Sequence, residues 1–275
     1  SKPGGQKGTR PARRGGPKAA QGGATYRLDV EYDGTGFHGW QIQESLSTVQ
    51  GAVEKALSAV ANHPVHVTCA GRTDAGVHAT AQTIHFDTGA HRSDHSWVFG
   101  ANSNLAHSIS VLWAKPVSAD FHARYSATAR RYRYILYNHE IRPGIVRKAV
   151  GWYYRPLDER LMVAGAKHLL GEHDFSSFRG SDCQAKTAVR TLHQIEIFRV
   201  RRMVVIEVQA NAFLLHMVRN IVGVLLAIGA GQRSPEWARQ VLEARDRTQG
   251  GMTISPTGLY LVEVNYPAEF QLPRT

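Results

Sequence analysis

One order of elements constrains this chain more than any single residue does. Short stretches alternating apolar and polar side chains have the pattern of half-buried strands, and stretches with helical spacing lie between them. From Tyr26 the order reads strand, helix, strand, strand, helix, strand. From Ala129 the same order runs again, although the letters do not repeat. This predicts an α+β fold: two ferredoxin-like (βαββαβ) halves, residues 24–128 and 129–275, sharing a mixed, mostly antiparallel sheet flanked by helices.

In the first half, Tyr26–Tyr32 reads as a strand. Ser47 and Gln50 read as a capping box that opens a helix carrying Val49, Val53, Ala56, Leu57 and Val60 on one stripe. Strands follow at 65–69 and 82–86, a helix at 93–104 and a strand at 109–117. In the second half, a strand over 129–137 puts Tyr132, Tyr134 and Leu136 on one face and Arg131 and Arg133 on the other. That strand reads either as an aromatic core with a solvated basic face or as a nucleic-acid surface, because bases stack on aromatic rings. A short strand is expected at 152–154, then a helix over 158–170 facing Leu161, Ala164, His168 and Leu169 inward. Residues 172–179 read as a loop, 192–200 and 203–210 as a hairpin, and 213–228 as an apolar helix. Ser234-Pro235 carries a helix-start signature, and 258–266 reads as the closing strand.

Charge narrows the partner. The 275 residues carry a formal net charge of +11. That suits a polyanion, although a membrane surface or solubility alone would also account for it. Five Trp, ten Tyr and fourteen His accompany the charge and suit stacking on bases. Residues 1–23 hold six basic residues, no acid, seven glycines and three prolines. We read them as a disordered basic arm, equally an inert tail or an electrostatic tether for RNA. The most apolar stretch, 213–228, falls short of the roughly 20 residues that cross a bilayer, and His216, Arg219 and Asn220 interrupt it. The opening residues do not read as a secretory signal. Cys69 and Cys183 form neither a metal spacing nor a disulfide framework, which fits a reducing cytoplasm. Without C-x-x-C, a zinc base deaminase is set aside.

Gly34-Thr35-Gly36-Phe37-His38-Gly39 matches G-x-G-x-x-G in letters. A dinucleotide fingerprint needs the helix to open at those glycines. Here the helix signal comes about ten residues later, which argues against a nicotinamide site.

The run Cys69-Ala70-Gly71-Arg72-Thr73-Asp74-Ala75-Gly76-Val77-His78 joins two expected strands. Glycines bracket Asp74, and Arg72 offers it a positive neighbour. Alone, Asp74 reads as ordinary turn chemistry. Two further placements change its weight. Tyr132 stands on a basic strand. Arg219 stands in an apolar helix, sharing a face with His216 and Asn220. A buried guanidinium needs a carboxylate, unless it reaches solvent along its stem. Asp74, Tyr132 and Arg219 therefore fit one site, whose distances the sequence does not contain.

Gly71-Arg72-Thr73-Asp74-Ala75-Gly76-Val77-His78 resembles the signature of the TruA-type tRNA pseudouridine synthases. So do, in order, Glu31-Tyr32-Asp33-Gly34, Phe121-His122-Ala123-Arg124, Arg130-Arg131-Tyr132-Arg133-Tyr134, and Asn211-Ala212-Phe213 leading into His216 to Gly223. The resemblance spans residues 26–267 and leaves out the arm. It implies a pseudouridine-synthase-type sheet and isomerisation of uridine to pseudouridine at positions 38, 39 and 40 in the anticodon stem-loop of tRNA. It implies a cytoplasmic homodimer using no cofactor and no metal, with neither a membrane nor DNA as partner. It also implies that Asp74 is the catalytic residue, that Tyr132 stacks on the target uracil, that Arg219 pairs with Asp74, and that Arg72 helps displace the base. A non-catalytic RNA-binding module on the same fold stays open, although no RNP1-type aromatic motif is present to support it.

Overall fold

Alternation in the first strand becomes a division of labour between two faces. In β1 (Ala24–Tyr32), Tyr26, Leu28 and Val30 enter a hydrophobic core, while Thr25, Arg27 and Asp29 turn to the other face, where they too are covered. Buried charge there is paired: Arg27 Nη2 lies 3.5 Å from Asp29 Oδ1, and the guanidinium sits against Trp113 and Tyr266. The structure, a computed structural model, describes residues 23–270. Apart from Gly23, the basic arm lies outside the described residues.

The chain continues through α1 (Val49–Ala61), β2 (Thr68–Cys69), β3 (His78–Thr88), α2 (Asp94–Asn104) and β4 (Ile109–Val117). There follow β5 (Ala129–Asn138), β6 (Gly151–Tyr153), α3 (Glu159–Ala166), β7 (Gly171–Asp174), β8 (Val189–Val200) and β9 (Met203–Ala210). Last come α4 (Met217–Gly229), α5 (Trp237–Ala244) and β10 (Leu259–Asn265). One ten-stranded sheet runs β4-β1-β3-β10-β5-β9-β8-β7, with β2 beside β3 and β6 beside β5. Its pairings are antiparallel except for β3–β10 and β5–β6. The fold is thus α+β, a mixed sheet with five helices among the described residues. None of these helices is long and apolar enough to cross a membrane.

Helices α1 and α2 pack together over the first strands, enclosing Leu57, Phe86 and Trp97. Helix α4 is buried on nearly every side and packs against α3. In β5, Tyr132, Tyr134 and Leu136 face inward, as alternation predicts. Its other face is neither free nor merely solvated. Arg133 pairs with Glu207, and Arg131 lies 3.3 Å from Glu263 and 3.8 Å from Glu207. Cross-strand acids on β9 and β10 therefore neutralise the basic row.

Several local expectations need correction. Only Thr68–Cys69 pairs as a strand: Val65 N–H donates to Ser58 Oγ and Val67 N–H to Glu54 Oε1, so α1 side chains take the bonds a strand partner would have taken. Thr48, not Ser47, caps α1, accepting from Gly51 N–H at 3.3 Å. Gln50 accepts instead from Ile42 N–H. The inward residues of α3 and the turn after it are Met162, Gly165, Ala166 and Leu169. The segment read as a loop over 172–179 begins with strand β7, paired to β8. Helix α5 starts at Trp237, with Ser234 contributing a carbonyl rather than a side-chain cap. Helix α4 starts at Met217, which leaves Phe213 to His216 outside it.

Candidate active site

Asp74 occupies the tight turn between β2 and β3. Its carbonyl accepts from Val77 N–H at 3.1 Å, and Gly76 completes the turn with φ of +79°. The loop is tied down before and after that point. Gln82, buried on β3, donates to the Gly71 carbonyl at 2.6 Å and accepts from Gly71 N–H at 3.4 Å. The hydroxyls of Tyr32 and Thr73 lie 2.7 Å apart, and Trp40 N–H donates to the Thr73 carbonyl at 3.0 Å.

The glycine run at 34–39 supports this same loop. A Cβ on Gly34 would overlap the Val77 carbonyl oxygen. One on Gly39, whose φ is +84°, would lie 2.8 Å from the Thr73 carbonyl oxygen. Glycine is needed because backbone presses on backbone. Gly34 N–H also donates to His78 Nδ1 at 3.1 Å. Only a single 3-10 turn, Gly34–Gly36 capped by Asp33, opens at these glycines, and the α-helix α1 begins at Val49.

Arg219 reaches the loop from the first turn of α4. Its Nη1 is 3.4 Å from Asp74 Oδ2, and its Nε donates to the Ile254 carbonyl at 2.8 Å. His216 is not on the helix face. It precedes the helix with φ of +61°, and its Nε2 lies 3.5 Å from the same carboxylate oxygen. The N-terminal end of α4 thus stands beside an anion, where the helix dipole favours negative charge. The Asp74 side chain is 24 % exposed and that of Arg219 14 %, so their attraction is only partly screened.

Tyr132 forms part of the floor rather than an open shelf. Its ring meets Phe213 edge-on at 5.0 Å, and its hydroxyl lies against Gly71. Burial, and then the charge of Asp74, raise its phenol well above the usual range. These residues line a cleft of about 540 Å³ together with Arg72, Trp40 and Leu215. Five arginines and two aspartates face it. All four residues singled out from the sequence, Asp74, Arg72, Tyr132 and Arg219, are therefore in one cleft, with Arg72 exposed beside the loop.

A family model described as tRNA pseudouridine synthase matches residues 29–126 and 166–267. This chain belongs to the tRNA pseudouridine synthase family. It is 73% identical over 251 residues to tRNA pseudouridine synthase A of Coxiella burnetii (strain Dugway 5J108-111), covering 91% of this chain and 96% of that relative. It is 56% identical over 247 residues to tRNA pseudouridine synthase A of Nitrosococcus oceani, covering 90% and 95%. A solved H/ACA RNP bound to a substrate RNA containing 2'-deoxyuridine overlaps 73% of this chain and 44% of its own at 11% identity, with a TM-score of 0.36. That likeness is too distant to bear on the site.

In this pseudouridine synthase family member, sequence reasoning missed a second tier of residues. Arg130 is buried and bonds only to carbonyls: Ala70 at 2.9 Å, Arg124 at 2.7 Å, Asn211 at 2.9 Å and Ala127 at 3.3 Å. It thereby ties the start of the Asp74 loop to the linker between the halves and to the approach to α4. A signal was present, because Arg130 shares the inward phase of Tyr132 and Tyr134. Helical spacing groups His216 with Arg219, and it does approach Asp74, but from a left-handed residue ahead of the helix, a backbone that the apolar run does not mark.

Proposed function

We propose that this chain isomerises uridine to pseudouridine in tRNA, at positions 38, 39 and 40 of the anticodon stem-loop. The reaction breaks the N1–C1′ bond, turns the uracil and forms C5–C1′, with the C5 proton leaving and N1 regaining one. Atoms and electrons balance within the substrate, so the step calls for no redox partner. The observation that carries the reading is the Asp74 carboxylate in a cleft lined by arginines, one oxygen facing Arg219 and His216.

A carboxylate so placed acts in one of two ways. It attacks as a nucleophile, or it assists departure of the base and then takes the proton. Arg219 and the Ile254 carbonyl fix the direction of the carboxylate, which matters because misplacing a reacting group costs rate steeply. Reaching the reacting carbons requires the uridine to leave its stack. Tyr132 then meets the uracil, and Arg72, exposed beside the loop, fills the space it vacates. The remaining arginines of the cleft suit the phosphates on either side. We take the working unit to be a cytoplasmic homodimer, which sedimentation and fractionation test.

Asp74→Asn tests the assignment. Pseudouridine formation in unmodified tRNA is expected to vanish while tRNA affinity stays within about threefold. Full turnover by the variant overturns it.

A further inference from the structure

The linker between the halves carries an exposed aromatic ring on a rigid mount. Tyr125 is 77% exposed. Its ring lies 4.3 Å from that of His122, at 31°, and His122 in turn lies 4.8 Å from His85. Hydrogen bonds around this column fix its backbone. His122 Nδ1 accepts from the N–H groups of Arg124 and Tyr125 at 3.2 and 3.1 Å. His85 Nδ1 accepts from Ala123 N–H at 3.1 Å. Ser126 closes the turn by donating from N–H to the His122 carbonyl at 2.9 Å and accepting His122 N–H at Oγ at 3.0 Å. None of these bonds uses the Tyr125 side chain. An exposed ring on a backbone held this firmly meets a ligand without losing the freedom that a mobile loop would lose.

Its position supplies the chemistry. Arg124 lines the Asp74 cleft, and its guanidinium carbon is 5.8 Å from the Tyr125 ring centre. Arg130 holds both the Arg124 carbonyl and the Ala70 carbonyl that begins the Asp74 loop. One buried guanidinium therefore fixes the distance from the mount to the catalytic loop.

We infer that Tyr125 is an RNA-binding residue at the rim of the cleft. It stacks on an unpaired base neighbouring the nucleotide delivered to Asp74, with Arg124 meeting the adjoining phosphate. The choice of RNA rests on the function proposed above and on the excess of arginine along this rim. Stacking of this kind tolerates any base, because every base has a π-face.

Tyr125→Ala and Tyr125→Phe, made in the full chain and again in the Asp74→Asn background, test it. The ligand is an unmodified anticodon stem-loop carrying 2-aminopurine at each loop position in turn. Tyr125→Ala is expected to weaken RNA binding about 10-fold, with KM rising in step. Phe at the same position restores both. One 2-aminopurine position is quenched by the wild type and by Tyr125→Phe but not by Tyr125→Ala. Unchanged affinity in Tyr125→Ala overturns the inference. So does failure of Phe to restore binding, or a change of oligomeric state in place of a change in affinity. Binding in the Asp74→Asn background separates the two readings. If the wild type makes no pseudouridine, the proposed function falls, and the affinity ratio still decides the role of Tyr125.

Discussion

Arg219 holds Asp74 Oδ2 at 3.4 Å through Nη1 and is itself held by the Ile254 carbonyl, 2.8 Å from Nε. The guanidinium is a bracket fixed at both ends, which a point charge cannot imitate. Arg219→Lys is expected to keep the fold and lower turnover about 10- to 100-fold, equivalent to about 1.4–2.7 kcal/mol of transition-state stabilisation. Single-turnover kinetics at saturating tRNA measure it, with circular dichroism as the fold control.

Two glycines close in sequence should behave oppositely. Gly34→Ala forces a methyl into the Val77 carbonyl, whereas a Cβ at Gly36 meets nothing within 4 Å. Gly34→Ala is therefore expected to cost about 1–3 kcal/mol of stability and to slow turnover by shifting the Asp74 loop. Gly36→Ala should leave both close to wild type. Thermal melts and tRNA assays on the pair check this.

Arg130 serves four carbonyls from a single buried fork, and burial lowers its pKa from the ordinary arginine range. Each carbonyl left unsatisfied costs about 1–3 kcal/mol. Arg130→Met is expected to destabilise the protein by at least about 3 kcal/mol. Arg130→Lys should recover only a small part of that, because one ammonium cannot span the same acceptors. Urea titration of the three proteins gives the comparison.

Stability should weaken in mild acid because of His85. Burial, with the charge of His122 adding to it, pulls the imidazole from 6.5 down to about 4. An unfolded His85 takes its proton near 6.5, and the folded one resists until about 4. Between those values the unfolded chain binds more protons, so stability is complete above the window and is lost as pH falls through it. This group should account for about 2 kcal/mol between about pH 7 and about pH 5. His85→Asn, which offers an acceptor to Ala123 N–H without titrating, should remove that part of the pH dependence in urea titrations at the two pH values.

Strands whose faces differ in polarity were legible in the sequence, and those without such contrast were not. The interior strand β5 alternates cleanly, and its inward residues follow from parity. Edge strand β7 reads Gly-Glu-His-Asp and forms by pairing with β8, a partner its own letters do not indicate. The stretch 65–69 alternates as a strand should, yet α1 side chains take its N–H groups. Asp74 and Arg219 could be matched across 145 residues because a buried guanidinium demands an acid. The carbonyls that hold Arg130, and the acids that quench Arg131 and Arg133, depend on neighbours brought together by the sheet. Their positions along the chain carry no mark of it.

Strand β10 lies between β3 and β5, pairing through Tyr260 and Leu261 on one edge and through Leu259 to Asn265 on the other. In order of translation it follows everything it joins. Until residues 259–265 are made, β3 and β5 have no strand between them, and side chains such as Arg130 are what link the loop of Asp74 to the strand of Tyr132. The sheet is thus closed by a segment made after both of the strands it joins.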